Sequence, residues 1–192
     1  MKKIFIAFLL FTSILSSGYS KPVMTVSGSY EIDAAKNAVL HNAIGLRYLE
    51  ERCYYAAVQE FKISISLNPN SQSTAVAYNN LGRTYMYLGF AEQAMDCFER
   101  ALKLYGLNFE YYKNLADCYT ALKMDKQKIE EYRKADKNPL NKIMLGLLYV
   151  NSGDVRAGII TLDSFCMSEP DLIITSGVRA YLRELTEKLN KN

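Results

Sequence analysis

The side chains of this 192-residue chain best suited to chemistry are four cysteines, a single histidine and a few paired carboxylates. Cys53, Cys97, Cys118 and Cys166 permit three full disulfide pairings, and no two of them form a Cys-x-x-Cys pair. Two readings stay open for them: packed free thiols, which behave as small hydrophobes, or a bridge led by Cys97 with Cys118. His41 has no second histidine to work with, which argues against a His-based metal site or a histidine-dependent catalytic array. Glu50–Glu51 and Glu130–Glu131 are adjacent in sequence, so on a helix their carboxylates point in different directions and read as solvated charges. A Gly-rich phosphate loop and a Gly-x-Ser-x-Gly elbow are both absent from the sequence. No catalytic, metal-binding or cofactor-binding residues are assigned, and the expected function is non-enzymatic.

Composition narrows the class further. With 49% hydrophobic, 22% charged and 12% aromatic residues, the chain has a globular balance rather than a disordered one. The first 20 residues hold two lysines and no acid, leaving 21 basic against 20 acidic residues in the remainder. So even a balance lacks the clustered basic excess of a nucleic-acid binder or a polybasic membrane clamp. Lys2 and Lys3, the apolar run 4–15 and the small residues of 16–20 follow the order of a secretory signal peptide. Residues 1–20 are therefore expected to be a signal, cleaved after Gly18 or Ser20, and the product to be exported, periplasmic or secreted in a bacterium. The apolar run is shorter than the roughly 20 residues needed to span a bilayer, and no membrane insertion is expected once the signal is gone.

The elements that must position any site are set by an internal repeat. A small residue followed three positions later by tyrosine occurs at Gly45/Tyr48, Gly82/Tyr85, Ala116/Tyr119 and Gly146/Tyr149, in steps of 37, 34 and 30 residues. Sixteen residues after each small position stands a bulky side chain: Phe61, Phe98, Tyr132 and Leu162. A third column, twelve residues after the small position, reads Ala57, Ala94, Lys128 and Gly158. Within each unit the apolar spacing is helical on both sides of a turn, as in Tyr78, Leu81, Tyr85 and Leu88 before Gly89 and Ala94, Phe98, Ala101 and Leu102 after it. A lone helix pair cannot bury such a face, so neighbouring pairs must stack.

The second unit, with Tyr78, Leu81, Gly82, Tyr85, Ala94, Phe98 and Ala101, resembles a tetratricopeptide repeat. The first resembles it at Gly45, Tyr48, Ala57, Phe61 and Pro69, and the fourth at Leu145, Gly146, Tyr149, Gly153 and Pro170. The third departs most, with Ala116 for the glycine and Lys128 for the small residue. The resemblance implies an all-α superhelical solenoid of about four helix-turn-helix repeats over residues 38–172, in units starting near 38, 75, 109 and 139. A lead-in (21–37) precedes the repeats. Residues 173–192 follow as a C-terminal capping helix, with Val178, Tyr181, Leu182, Leu185 and Leu189 at helical spacing.

The same resemblance places the first helix of each pair on a concave groove. The residues expected to bind a partner there are Asn79, Asn80, Arg83, Tyr87, Lys113, Asn114, Asp117 and Leu147. Asn80 and Asn114 would bond the backbone of an extended peptide, or serve as packing residues of the repeat. The apolar inward positions of unit four (Ile143, Met144, Leu147, Val150) either dock the capping helix or anchor a partner. Of the 15 tyrosines, those in repeat columns read as core, while Tyr54, Tyr55, Tyr87 and Tyr111 are candidates for surface contact. The expected function is an exported adaptor holding a protein or peptide in the groove, with no nucleic acid and no cofactor. The alternative is a structural or assembly subunit of a cell-envelope complex that self-associates through outer helix faces. The sequence leaves partner, pathway and oligomeric state open.

Overall fold

The computed structural model describes residues 33–135 and 138–190. The expected signal (1–20), and the lead-in before Asp33, lie outside the described residues. Nine helices and no strand are found among the described residues: α1 (Ala34–Glu50), α2 (Tyr54–Leu67), α3 (Gln72–Tyr87), α4 (Ala91–Leu104), α5 (Phe109–Ala121), α6 (Asp125–Lys134), α7 (Asn141–Asn151), α8 (Val155–Ser168) and α9 (Ile173–Asn190). Four antiparallel pairs, α1/α2, α3/α4, α5/α6 and α7/α8, stack in chain order, and α9 follows the last. The all-α solenoid expected from the columns is the observed architecture.

Polar side chains start α1, α3, α5 and α8. Asp33 Oδ1 accepts from the Lys36 amide (2.9 Å), Ser71 Oγ from Thr74 (3.2 Å), Asn108 Oδ1 from Glu110 (3.0 Å) and Asp154 Oδ1 from Ala157 (3.1 Å). Each satisfies one of the unpaired amides of a first helical turn. Between the helices of a pair the chain turns through one residue in the left-handed region: Arg52 (φ 61°), Gly89 (φ 79°), Lys123 (φ 59°) and Gly153 (φ 95°). In the first three units the next amide reaches back to the carbonyl of the column tyrosine: Cys53 to Tyr48, Phe90 to Tyr85 and Met124 to Tyr119, at 2.8–2.9 Å. That bond closes the helix end.

The columns are contacts between the paired helices. Phe61, Phe98 and Leu162 are 0%, 1% and 0% exposed, and each sits against the small residue that opens its unit. A Cβ added at Gly45, Gly82 or Gly146 would fall 2.6 Å from Phe61 Cε1, Phe98 Cε1 or Leu162 Cγ. The glycines let the helix backbones approach that closely. Unit three, where both small positions are larger, packs differently. Lys128 lays its ammonium 4.9 Å over the Tyr119 ring and pairs with Glu131 at 2.9 Å, and α6 contributes no buried residue. α7 packs directly on α5 instead, and the main apolar cluster runs from Phe98 through Leu115 and Tyr119 to Leu147, Phe165 and Val178.

Candidate functional site

The inward faces of α1, α3 and α5 carry polar side chains, and many of these bond to each other across the units. Asn80 Nδ2 donates to Asn42 Oδ1 at 3.1 Å, and Asn114 Nδ2 donates to Asn79 Oδ1 at 2.8 Å. Asn79 and Asn80 are only 5% and 4% exposed. No buried side-chain nitrogen or oxygen among the described residues lacks a partner. The backbone-binding role expected for buried Asn80 is therefore corrected to a bond between neighbouring units, while half-buried Asn114 spends one N–H on such a bond and keeps its Oδ1 beside the hollow described below. A third junction is made by Asn151 Nδ2, which donates to Asp117 Oδ1 (3.0 Å) and Thr120 Oγ1 (3.2 Å).

Leu147 is corrected as well. It is 1% exposed and lies in the core with Ile143 and Met144, both 0% exposed, in the cluster that α9 completes through Ile174, Val178 and Leu185. The apolar inward face of unit four is enclosed in the same core as the chain's own last helix, which packs chiefly on α8 and α5. Tyr111, expected at the surface, is 3% exposed, its polar-tipped ring packed against Ala75 and Ala101, and burial raises its hydroxyl pKa.

Arg83, Tyr87, Asn114 and Asp117 are brought together. With Met86 and Phe98 they line a hollow of about 220 Å³. Arg83 and Tyr87 also form one wall of a neighbouring hollow of about 360 Å³, whose other walls are Leu46, Leu49, Glu50, Arg52 and Tyr54. The Tyr54 and Tyr87 rings stack at 5.5 Å with an 11° interplanar angle, and Tyr87 remains 60% exposed. Arg52 and Arg83 take part in none of the ion pairs of the described residues, so both guanidiniums are open to an anionic group. Lys113, by contrast, pairs with Asp117 at 3.4 Å. Sequence reasoning missed Glu50 and Arg52 as site residues, the first closing α1 and the second in the turn after it. Their signal was available in the frame, since Arg52 stands at the turn position that Gly89 and Gly153 fill.

The other reactive groups are placed structurally. All four cysteines are free. Burial pushes the Cys97 thiol up to about 12 and the Cys118 thiol to about 11, and Cys118 Sγ bonds the Ala91 carbonyl at 3.1 Å. His41 Nδ1 meets Glu60 Oε2 at 2.6 Å, tying α1 to α2. No helix of the described residues is long and apolar enough to cross a membrane.

Stacked helix pairs with a hollow on the inward side define a helical-repeat solenoid. Residues 75–108 match the sequence model of the tetratricopeptide repeat. A tetratricopeptide repeat protein from Parabacteroides merdae superposes with a TM-score of 0.50 at 15% identity, covering 81% of this chain and 62% of that one. MamA protein aligns at 18% identity and a TM-score of 0.49 over 81% of this chain and 93% of its own. YrrB, described as a tetratricopeptide repeat protein with an unusual peptide-binding site, aligns at 16% identity and 0.48 over 80% and 84%.

Proposed function

We propose that the protein is an exported, non-catalytic adaptor that holds a segment of a partner protein in the paired hollows of units one to three. Proteins of this repeat class bind peptides and proteins, and the observation that carries the reading here is the pair of adjoining hollows sharing Arg83 and Tyr87. Two guanidiniums without ion partners among the described residues favour a carboxylate on the bound segment, and the Tyr54–Tyr87 stack, with Tyr87 exposed, offers apolar area beside them. Export is supported by the charged, apolar and small-residue order of residues 1–20.

The test is capture of the partner by in-cell crosslinking, followed by calorimetry on variants. Arg83→Glu and Tyr87→Ala should each weaken binding at least about tenfold, as loss of a charged hydrogen bond or of a central aromatic does. The outer-face changes Glu92→Lys and Lys103→Glu should leave it within about twofold. The reverse pattern sinks the adaptor reading. It would favour the assembly subunit, for which α8 offers Ile160 (69% exposed) and Met167 (77% exposed) on one outer stripe. That reading requires a solution mass that rises with concentration.

A further inference from the structure

The larger of the two inward hollows holds a charge arrangement that a carboxylate alone does not use. Glu50 lines its roughly 360 Å³ together with Arg52 and Arg83. Glu50 pairs with neither guanidinium, and none of the three enters an ion pair among the described residues. Opposite charges that share a hollow without neutralising each other are complementary to a ligand carrying both signs. The remaining walls suit the stem of a lysine. Leu46 and Leu49 are apolar, and the Tyr54 and Tyr87 rings stack beside them. Methylenes pack on such surfaces while their ammonium stays in water or over a ring face. Arg52 is also held in the left-handed region (φ 61°), at the turn position that glycine fills in units two and four. The turn thus carries strain that glycine would not, and it sets a guanidinium in the wall of the hollow.

We propose that this hollow reads a pair of opposite charges on the bound segment: a carboxylate taken by Arg52 and Arg83, and a lysine taken by Glu50 and the tyrosine stack. The inference rests on the hollows being the partner's seat, and it adds Glu50 as the residue that sets specificity. Two guanidiniums alone accept any anionic segment, whereas Glu50 penalises a second acid in the same hollow and favours a base. Size sets the spacing. A volume of about 360 Å³ corresponds to a mean width of about 7 Å. In an extended chain, side chains two residues apart project to the same side about 6.6 Å from each other. The two charges therefore stand at i and i+2, as in Asp-x-Lys or Lys-x-Asp, with the residue between them facing away. Adjacent charges of an extended segment point to opposite sides, and only one of them can enter.

Short peptides capped at both ends are the probes, read by NMR titration of the full chain at low salt: Gly-Asp-Ala-Lys-Gly and Gly-Lys-Ala-Asp-Gly, each also with norleucine in place of lysine. In the better-bound order, lysine should bind at least about tenfold tighter than norleucine, with shifts centred on residues 46–54 and 83–87. Glu50→Gln should cut that preference to within about twofold and tighten the norleucine peptide. A Glu50 that merely held the arginines in place would weaken both peptides alike. A peptide with adjacent Asp-Lys should bind at least about fivefold weaker than the spaced pair. Arg52→Gly should weaken both the lysine and the norleucine peptide while raising Tm through the relieved turn. A native preference for lysine below about twofold overturns the proposal, as does a preference that survives Glu50→Gln. No saturable binding of either order up to about 10 mM peptide overturns it too. Equal binding of the adjacent pair overturns the spacing, and undiminished binding to the Arg52→Gly chain overturns the place given to Arg52. The adaptor reading is tested apart from these peptides, by Arg83→Glu against the captured partner, and it stands if that change weakens capture while the peptides show no preference.

Discussion

Gly82→Ala is a change whose sign reports the packing of unit two. In an open helix interior, alanine is more stable than glycine by about 1 kcal/mol. Here the new Cβ would stand 2.6 Å from Phe98 Cε1 and 2.8 Å from Cδ1, where carbon atoms prefer about 3.5–4.0 Å. The ring must yield by about 1 Å, yet Phe98 is only 1% exposed. Overpacking of this kind costs about 1–3 kcal/mol, so the net effect is a loss of up to about 2 kcal/mol. For a domain of this size that lowers Tm by up to about 8 °C. Phe98→Ala alone should cost about 3–5 kcal/mol, and in that background Gly82→Ala should turn stabilising by about 1 kcal/mol, since nothing is left to strike. Thermal and urea unfolding followed by circular dichroism would give all four values. A clear rise in Tm for Gly82→Ala alone, or the same sign in both backgrounds, refutes the close approach of α3 and α4.

Four further outcomes are expected. Lys123→Gly relieves a left-handed residue in the turn before α6 and should raise stability by up to about 1 kcal/mol in urea unfolding, whereas Gly153→Ala should lower it. Asn80→Ala strips Asn42 of its donor and should cost about 1–2 kcal/mol by the same measurement, with helix content unchanged. Disulfide-exchange reagents should titrate one thiol quickly, the exposed Cys53, and three only on unfolding. Burial raises the Cys97 pKa from 9.0 to about 12, so the unfolded chain ionises first and stability is full below pH 9. It should then fall by roughly 1 kcal/mol per pH unit toward pH 12, a slope that Cys97→Ala reduces.

The helix pairs were legible because their contacts repeat. Gly45, Gly82 and Gly146 meet Phe61, Phe98 and Leu162 in the same way, and a repeated contact leaves a repeated column. The looseness of unit three was legible from Lys128 for the same reason. The site was less so. An asparagine on an inward face reads alike whether it meets a ligand or the next unit, and Asn79, Asn80 and Asn114 meet the next unit. The stripe of α9 announces that one face is buried without saying against what. Only the fold shows that it packs on α8 and across the start of α5. Arg52 carries no mark in its side chain of the backbone conformation that turns it toward Tyr54.

The bonds between asparagines make the units unequal as building parts. Asn80 of unit two donates back to unit one, and Asn79 of the same unit accepts from unit three. Unit one can only accept and unit three can only donate, because Lys113 and Met144 stand where the next pair would be. Residues 75–108 alone carry both halves of the joint. A tandem copy of that segment would join its neighbours with every amide paired, so the array can grow longer there. A copy of unit three set in the same place would begin with a matched joint and end with a broken one.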